Sequence, residues 1–417
     1  MSDTGKRRLR VKRSNIPLIL MMFVIVVFGL VILYSVSGPA GYARPDGEKS
    51  SLFYLQKQLG WTVAGLVLAL IISFIPIRFF KFPVIWGGCY VVSLGLIVFT
   101  KLGGYELNGA KRWIKIGSTT FQTSEFVKVG IVIALAGYRS YIVEQRKKGK
   151  LGADSKSKRI IKNAFFDFIL PVSMALLIDV FILMQPHLSC FLIVGFVVFM
   201  CTLNSGAGWR SWLVGGLVVF VVGIIGAVTF VSLNPNYQDN FAHVTQRINI
   251  FANTQGDENS DVTEDEMRQV TNAHNALGSG GMWGRGLGNS RAKYNYVSEA
   301  QNDYIFSIYV EETGFVGGAI LIAVYMAIFA MFVMVIIRTD TVFSRMIATG
   351  CSSLIMIQVL LNLAVELQIA PSTGVTLPFV SYGGTAQVFL LIAYGMILSV
   401  SRSGTSIPEK KVVENEA

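Results

Sequence analysis

Charge is scarce in this sequence: Lys, Arg, Asp and Glu together make up only 15% of its 417 residues. A soluble domain carries roughly a quarter of its residues as charges, so an ordinary soluble fold and a disordered chain are both excluded. Histidine is scarcer still, and His187, His243 and His274 are too scattered for the spacing of a zinc site. The four cysteines, Cys89, Cys190, Cys201 and Cys351, all fall inside apolar runs, away from any loop where an oxidising compartment could pair them. Four free thiols and no disulfide are therefore expected. Neither a Walker spacing nor a GxGxxG following a strand occurs, which leaves nucleotide binding unsupported. No internal repeat of the kind that builds transporters is evident. No cleavable leader is expected either, because the first apolar run is longer than a signal-peptide core and no small-residue cleavage site follows it.

Apolar residues are what the sequence has in abundance, at 53%, with a mean hydropathy of +0.55. They arrive in runs long enough to cross a bilayer as helices, about 20 residues each. The runs predict an all-α polytopic membrane protein with ten spans, near residues 16–37, 59–77, 83–100, 121–138, 165–184, 190–204, 212–232, 315–337, 346–365 and 385–401. The net charge of +11 would raise nucleic acid as a partner in a soluble chain. In a membrane chain its placement matters more, and no nucleic-acid partner is expected. Basic residues concentrate in the N-terminal arm KRRLRVKR and in the loop from Arg139 to Lys162. By the positive-inside rule both segments, and both termini, are cytoplasmic. The chain then divides into a basic arm (1–15), a transmembrane domain (16–402) and a cytoplasmic tail (403–417), with a large extracytoplasmic loop at 233–303. Within that loop the strip 257–266 holds six acidic residues in ten and reads as a solvated or partner-facing surface.

Three stretches could carry chemistry. In NGAKRWIKIGSTTFQTSEFVKVGIVIAL (108–135), Glu125 and Lys128 are three residues apart, on one face of a helix. Charges inside a span are expensive, so these two either neutralise each other or line a polar cavity. Lys111, Arg112 and Lys115 precede them and suit phosphate, Arg112 through its planar donor fork. Trp113 reads equally as an interfacial anchor. The second stretch has six glycines from Gly278 to Gly288, then Arg285, Arg291 and Lys293, and at the lip of the next apolar run Glu299 and Asp303. Its glycines form either a flexible turn or a backbone that approaches a ligand closely. Asp303 is either a helix-start residue offsetting the dipole or a desolvated carboxylate able to act as a general base. The third, IAPSTGVTLPFVSYGGTAQ (369–387), has no charge but carries Ser372, Thr373, Thr376, Ser381 and Tyr382. Irregular backbone of this kind at membrane depth lines protein or a wet cavity. Its hydroxyls suit sugar or pyrophosphate oxygens, although a plain loop between spans explains the composition as well.

In order along the chain, NGAKRWIKIG with FQTSEFVK, ALGSGGMWGRGLGNSRAK, DYIFSIYVEETGFVGG and APSTGVTLPFVSYGGTA resemble the SEDS family of polytopic cell-wall glycosyltransferases (FtsW, RodA and SpoVE), over residues 16 to 402. GLGNSRAK is more similar to the FtsW and SpoVE pattern than to RodA. The resemblance implies a polymerase that joins lipid II, a polyprenyl-pyrophosphate-linked disaccharide peptide, into glycan strands on the outer face of the bacterial cytoplasmic membrane. It further implies a class B penicillin-binding protein as crosslinking partner, among other division or sporulation membrane proteins. The family's essential aspartate, in a run resembling LPEAHTDFIF, corresponds to Asp303 in VSEAQNDYIF, and its acid and lysine at the fourth span correspond to Glu125 and Lys128. Arg112, Lys128, Arg291 and Lys293, or a divalent cation such as Mg or Mn, would oppose the charge of the departing pyrophosphate. Ser372, Thr373, Ser381 and Tyr382 complete the expected substrate contacts. The sequence departs from the pattern at Val297 and Ser298 (Leu-Pro in the family), at Gln301 and Asn302 (His-Thr), and at QPHLS, where many members read QPDLG. The rival functions are a flippase for the same lipid precursor and a non-catalytic scaffold of the division machinery.

Overall fold

The computed structural model describes residues 15–42, 50–107, 110–117, 119–151, 156–185, 187–233, 237–254, 264–294, 297 and 300–403. The chain opens with α1 (Ile16–Tyr42) and α2 (Phe53–Phe74), then a 3-10 turn (Ile77–Lys81) and α3 (Pro83–Gly103). Proline at the first position of α3 has the φ a helix start requires and no N–H to leave unpaired. A small antiparallel sheet follows, β1 (Tyr105–Leu107), β2 (Ala110–Ile116) and β3 (Thr119–Gln122), in that spatial order. Trp113 of β2 is opposite Tyr105 on one side and Gln122 on the other. Gly117, at φ 60, takes the left-handed conformation in the β2–β3 connection. Next come α4 (Thr123–Lys147), α5 (Lys156–Ala164), a π-helical turn (Phe165–Ile169), α6 (Leu170–Leu183), α7 (Leu188–Leu203) and α8 (Trp209–Leu233). After α9 (Tyr237–Thr254) and α10 (Glu264–Ser279), the chain closes with α11 (Ile305–Ile337), α12 (Val342–Glu366) and α13 (Gly384–Arg402).

Among the described residues, eight helices are long and apolar enough to cross a membrane, the α5–α6 pair counting as one, and the apolar stretches Leu188–Leu203 and Trp209–Ile225 are shorter. The all-α polytopic class holds, and the two shorter apolar helices lie where the sixth and seventh spans were expected. Two expectations need correction. The eighth span begins at Ile305, ten residues earlier than hydropathy places it, because Glu311 and Glu312 depress the average yet are buried and paired. Gly314, at φ 73 and ψ −174, breaks this helix where the apolar run starts. The segment 233–303 is also not a bare loop, since α9 and α10 occupy much of it. Residues 257–263 of the acidic strip lie outside the described residues, as do most of the N-terminal arm and the C-terminal tail. The four cysteines are free thiols.

Helices α4, α12 and α13 form the buried centre, and the other spans present apolar side chains such as Val63, Ile71, Val84 and Leu102 outward. Such an exterior is soluble only in lipid. Without a hydrophobic force between helices in lipid, close backbone approach does the packing, which favours small residues. At Gly395 of α13 a Cβ would meet the Ala69 carbonyl oxygen of α2 at 2.5 Å. A side chain there would push α2 and α13 apart.

Away from the sheet, the far end of α4 is tied by a buried carboxylate. Asp167, in the π turn, is 3% exposed and pairs with both Arg139 and Arg146, the latter at 2.7 Å. Arg139 also donates Nε–H to the Ser205 carbonyl at 2.8 Å, so one guanidinium joins α4, the π turn and the end of α7. Asp167→Ala leaves a buried guanidinium unpaired and is expected to destabilise the protein by about 3–5 kcal/mol. A large fall in melting temperature in detergent checks this, against an unchanged value for Lys148→Ala in the exposed Glu144–Lys148 pair.

Candidate functional site

The end of the bundle under the sheet holds a cavity of about 610 Å³, walled by α2, β2, β3, α4, the α6–α7 turn, the segment before α11 and the strap between α12 and α13. Five of the ten expected site residues line it, Arg112, Glu125, Lys128, Asp303 and Tyr382, and so do Trp113 and Thr376. They come from four separate parts of the chain.

Glu125 and Lys128 lie one turn apart at the start of α4, 7% and 5% exposed. The ammonium is 2.8 Å from each carboxylate oxygen, so the pair neutralises itself and also faces the cavity. Glu125 sits in the first turn of α4, where a carboxylate offsets the helix dipole. Arg112 on β2 donates Nε–H to the Gln185 carbonyl at 3.0 Å, and Gln185 in turn donates to the Ile97 carbonyl at 2.8 Å. That chain fixes the sheet over α3 and the α6–α7 turn. Burial first, and the charge of Arg247 second, draw Arg112 below the usual guanidinium range, which does not discharge it. Two like charges brought together out of water are a cost that a bound anion would relieve.

The strap 371–383 closes the cavity, and hydrogen bonds rather than helix hold its backbone. Asn362 of α12 donates to the Asp303 and Val375 carbonyls, each at 2.9 Å. Ser189 donates to the Thr373 carbonyl, Arg247 to the Ser372 carbonyl at 3.1 Å, and the Tyr382 N–H to the Gln301 carbonyl at 2.9 Å. The Ser381 hydroxyl accepts from the Leu377 N–H at 2.8 Å. Gly374 is at φ 67, where a Cβ would lie 3.5 Å from Asp303 Oδ2 and 3.8 Å from an Arg247 nitrogen. This glycine lets the strap pass close to both side chains.

Other expected site residues are placed elsewhere. Lys293 is buried and bound to Glu312 at 2.8 Å and to the Gly288 and Ser35 carbonyls at 2.7 and 3.1 Å, so its charge is satisfied away from the cavity. Arg291 is exposed and does not line the cavity. Ser372, Thr373 and Ser381 shape the strap through their carbonyls and, for Ser381, its hydroxyl, but are not among the lining residues. The glycine run 278–288 approaches protein and not ligand. The N–H groups of Arg285 and Gly286 donate to the Glu311 and Glu312 carbonyls, those of Phe315 and Val316 donate back to Gly281 and Met282, and at Gly284 a Cβ would lie 2.2 Å from the Glu312 carbonyl oxygen. Glu299 lies outside the described residues.

Sequence reasoning missed His187 and Arg247. His187 lines the cavity, and burial together with Arg112, Lys128 and Arg247 holds its imidazole well below 6.5, hence neutral. Its isolation in sequence from the other two histidines carries no zinc-site signal. Arg247 sits on α9, a helix hidden inside what reads as a loop, although its apolar residues recur at helical spacing through 241–251. Among the described residues no group of three or more His, Cys, Asp or Glu is clustered as a ready-made metal site, and the carboxylates that line the cavity are Glu125 and Asp303.

The architecture is that of a multi-pass membrane protein with a headgroup-sized, cation-rich cavity at one end of its bundle. Residues 16–406 match the family model of the cell cycle proteins FtsW, RodA and SpoVE, and the chain belongs to that family. The probable peptidoglycan glycosyltransferase FtsW of Lactococcus lactis is 29% identical, over 93% of this chain and 92% of that protein. The stage V sporulation protein E of Bacillus subtilis is also 29% identical, over 93% and 97%. Among solved structures, a chain of a peptidoglycan synthase complex that coordinates polymerization and crosslinking superposes with a TM-score of 0.68 at 25% identity, over 93% of this chain and 98% of that one. The rod shape determining protein RodA of Thermus thermophilus superposes with a TM-score of 0.61, also at 25% identity.

The neutral His187 gives an acid-side prediction. Because its folded value lies below 6.5, the unfolded chain takes up a proton as pH falls through 6.5 while the native protein does not, so stability is lost on acidification. His187→Gln is expected to flatten the fall in melting temperature below pH 6.5; an unchanged slope would place the titration elsewhere.

Proposed function

We propose that this protein is a peptidoglycan glycosyltransferase that polymerises lipid II on the outer face of the cytoplasmic membrane, with both termini inside. One observation carries the reading: Asp303 and a set of cations, Arg112 and Lys128 with Arg247 close by, meet at a single cavity at the end of a membrane bundle. A substrate with a lipid tail, a pyrophosphate and sugars needs that combination, because its tail stays in the bilayer while its headgroup needs positive charge and a base.

In the proposed reaction Asp303 takes the proton from the 4-hydroxyl of the acceptor sugar as that oxygen attacks the anomeric carbon of the donor. The bond from that carbon to the pyrophosphate oxygen breaks with inversion, and the polyprenyl pyrophosphate leaves with the electron pair. Charge grows on the leaving group through the transition state, where fixed cations in a partly dry cavity are most effective. Arg112 and Arg247 are anchored to backbone carbonyls and so are pre-oriented. Lys128 is shared with Glu125, which sets its position and tempers its charge. Neutral His187 can donate a hydrogen bond into the same space. The likeness to a synthase complex supports a class B penicillin-binding protein as the partner that crosslinks the strands, and the FtsW and SpoVE relatives support a role in division or sporulation.

The test is glycan-strand synthesis from lipid II by the purified protein, with and without a class B penicillin-binding protein. Asp303→Asn keeps size and hydrogen bonding but removes the base, and is expected to lower the rate about 10²–10⁴-fold. Full activity in Asp303→Asn sinks the general-base assignment. No product from the wild type under either condition, with lipid II translocation in liposomes, favours the flippase.

A further inference from the structure

The segment from Gln301 to Ile305 is irregular, and what holds it is not local. Helix α11 begins at Ile305, two residues after Asp303, yet its N-cap residue Tyr304 supplies no side-chain cap. Its first N–H groups should be left wanting acceptors at an apolar boundary. They are capped instead from another helix. Glu366, the last residue of α12 and 2% exposed, accepts from the Phe306 N–H at 3.2 Å, the Ser307 N–H at 2.5 Å and the Ser307 hydroxyl at 2.6 Å. One turn earlier on α12, Asn362 is 1% exposed and joins the Asp303 carbonyl to the Val375 carbonyl of the strap. The two side chains are four residues apart and so share one face of α12.

We propose that Glu366 and Asn362 are positioning residues for Asp303: the carboxylate sets the start of α11, the amide clamps the Asp303 backbone to the strap, and together they aim its carboxylate into the cavity. Without them the first N–H groups of α11 lose the Glu366 cap and the Asp303 carbonyl loses the Asn362 amide. A displacement of 1 Å in a reacting group can cost about 10²-fold in rate. Neither residue lines the cavity, so the loss of Glu366 acts on the transition state through Asp303, while Asn362 also holds Val375, a lining residue of the strap. For Glu366 the predicted signature is a fall in kcat with little change in KM. A merely structural role would instead reduce the yield of folded protein and leave the kcat of the folded fraction unchanged.

This inference rests on Asp303 being the base, and the experiment separates the two. Full-length wild type, Glu366→Leu, Glu366→Gln, Asn362→Ser and Asp303→Asn are purified, their folded fraction is measured, and lipid II polymerisation is followed across substrate concentration. Glu366→Leu is expected to lower kcat per folded molecule by about 10²-fold with KM within a few fold. Glu366→Gln, whose amide oxygen still accepts from the α11 N–H groups, should recover most of that loss. Asn362→Ser should lower kcat about tenfold, and any change in KM reports movement of the strap at Val375. Should Glu366→Leu not fold, Glu366→Gln and Asn362→Ser decide by the same readout. If the folded variants keep wild-type kcat, or lose only KM, while Asp303→Asn is inactive, the positioning role is wrong and the base stands. If Asp303→Asn is itself fully active, the base assignment fails first and this inference falls with it.

Discussion

An ion buried away from water must bring its own counter-charge or hydrogen bonds, and most of this structure follows from meeting that demand within one chain. In hydrocarbon an unpaired charge or N–H has nothing to fall back on. Glu125 therefore lies against Lys128, Asp167 against Arg139 and Arg146, and Glu312 against Lys293. Each arrangement fixes a different part of the molecule. The first sits at the cavity, the second ties α4 to the π turn and the end of α7, and the third fastens the glycine-rich segment to α11 and α1.

The same demand explains why so much irregular backbone is tolerated near the cavity. Neither the strap 371–383 nor the glycine-rich stretch 280–288 has a helix ladder of its own, so each depends on partners elsewhere in the chain. The strap is held by Asn362, Gln58, Ser189 and Arg247, and the glycine run by the exposed carbonyls where Gly314 breaks α11. Non-helical segments are thus stitched to rigid ones, and the cavity walls inherit that rigidity. Asp303 stands where these segments meet, beside both the strap and the start of α11.

Much of this was legible from residue order. Long apolar runs announce spans because a bilayer sets their length, and Glu125 with Lys128 announces a pair because a helix brings residues three apart together. Asp303 was legible through its resemblance to a family run. What misled was proximity in sequence: Arg291 and Lys293 precede Asp303 closely, yet Lys293 turns away to Glu312 and Arg291 remains at the surface. A local count of cations cannot tell which are already neutralised by a carboxylate nineteen residues on. Arg247 and His187 were overlooked for the converse reason, since each lies far along the chain from Asp303.

The sequence by itself determined that the chain is a polytopic membrane protein with free thiols and a charged pair at the fourth span, because each of these follows from local spacing and from the cost of burying polar groups in lipid; its SEDS character was legible only through the resemblance of four ordered motifs. The tertiary structure alone decided which cations share the cavity, that an apparent loop contains α9, and that the start of α11 is capped by Glu366 from α12. The hydrogen bonds concerned join residues 59 to 125 apart, and nothing short of the packed bundle brings them within reach.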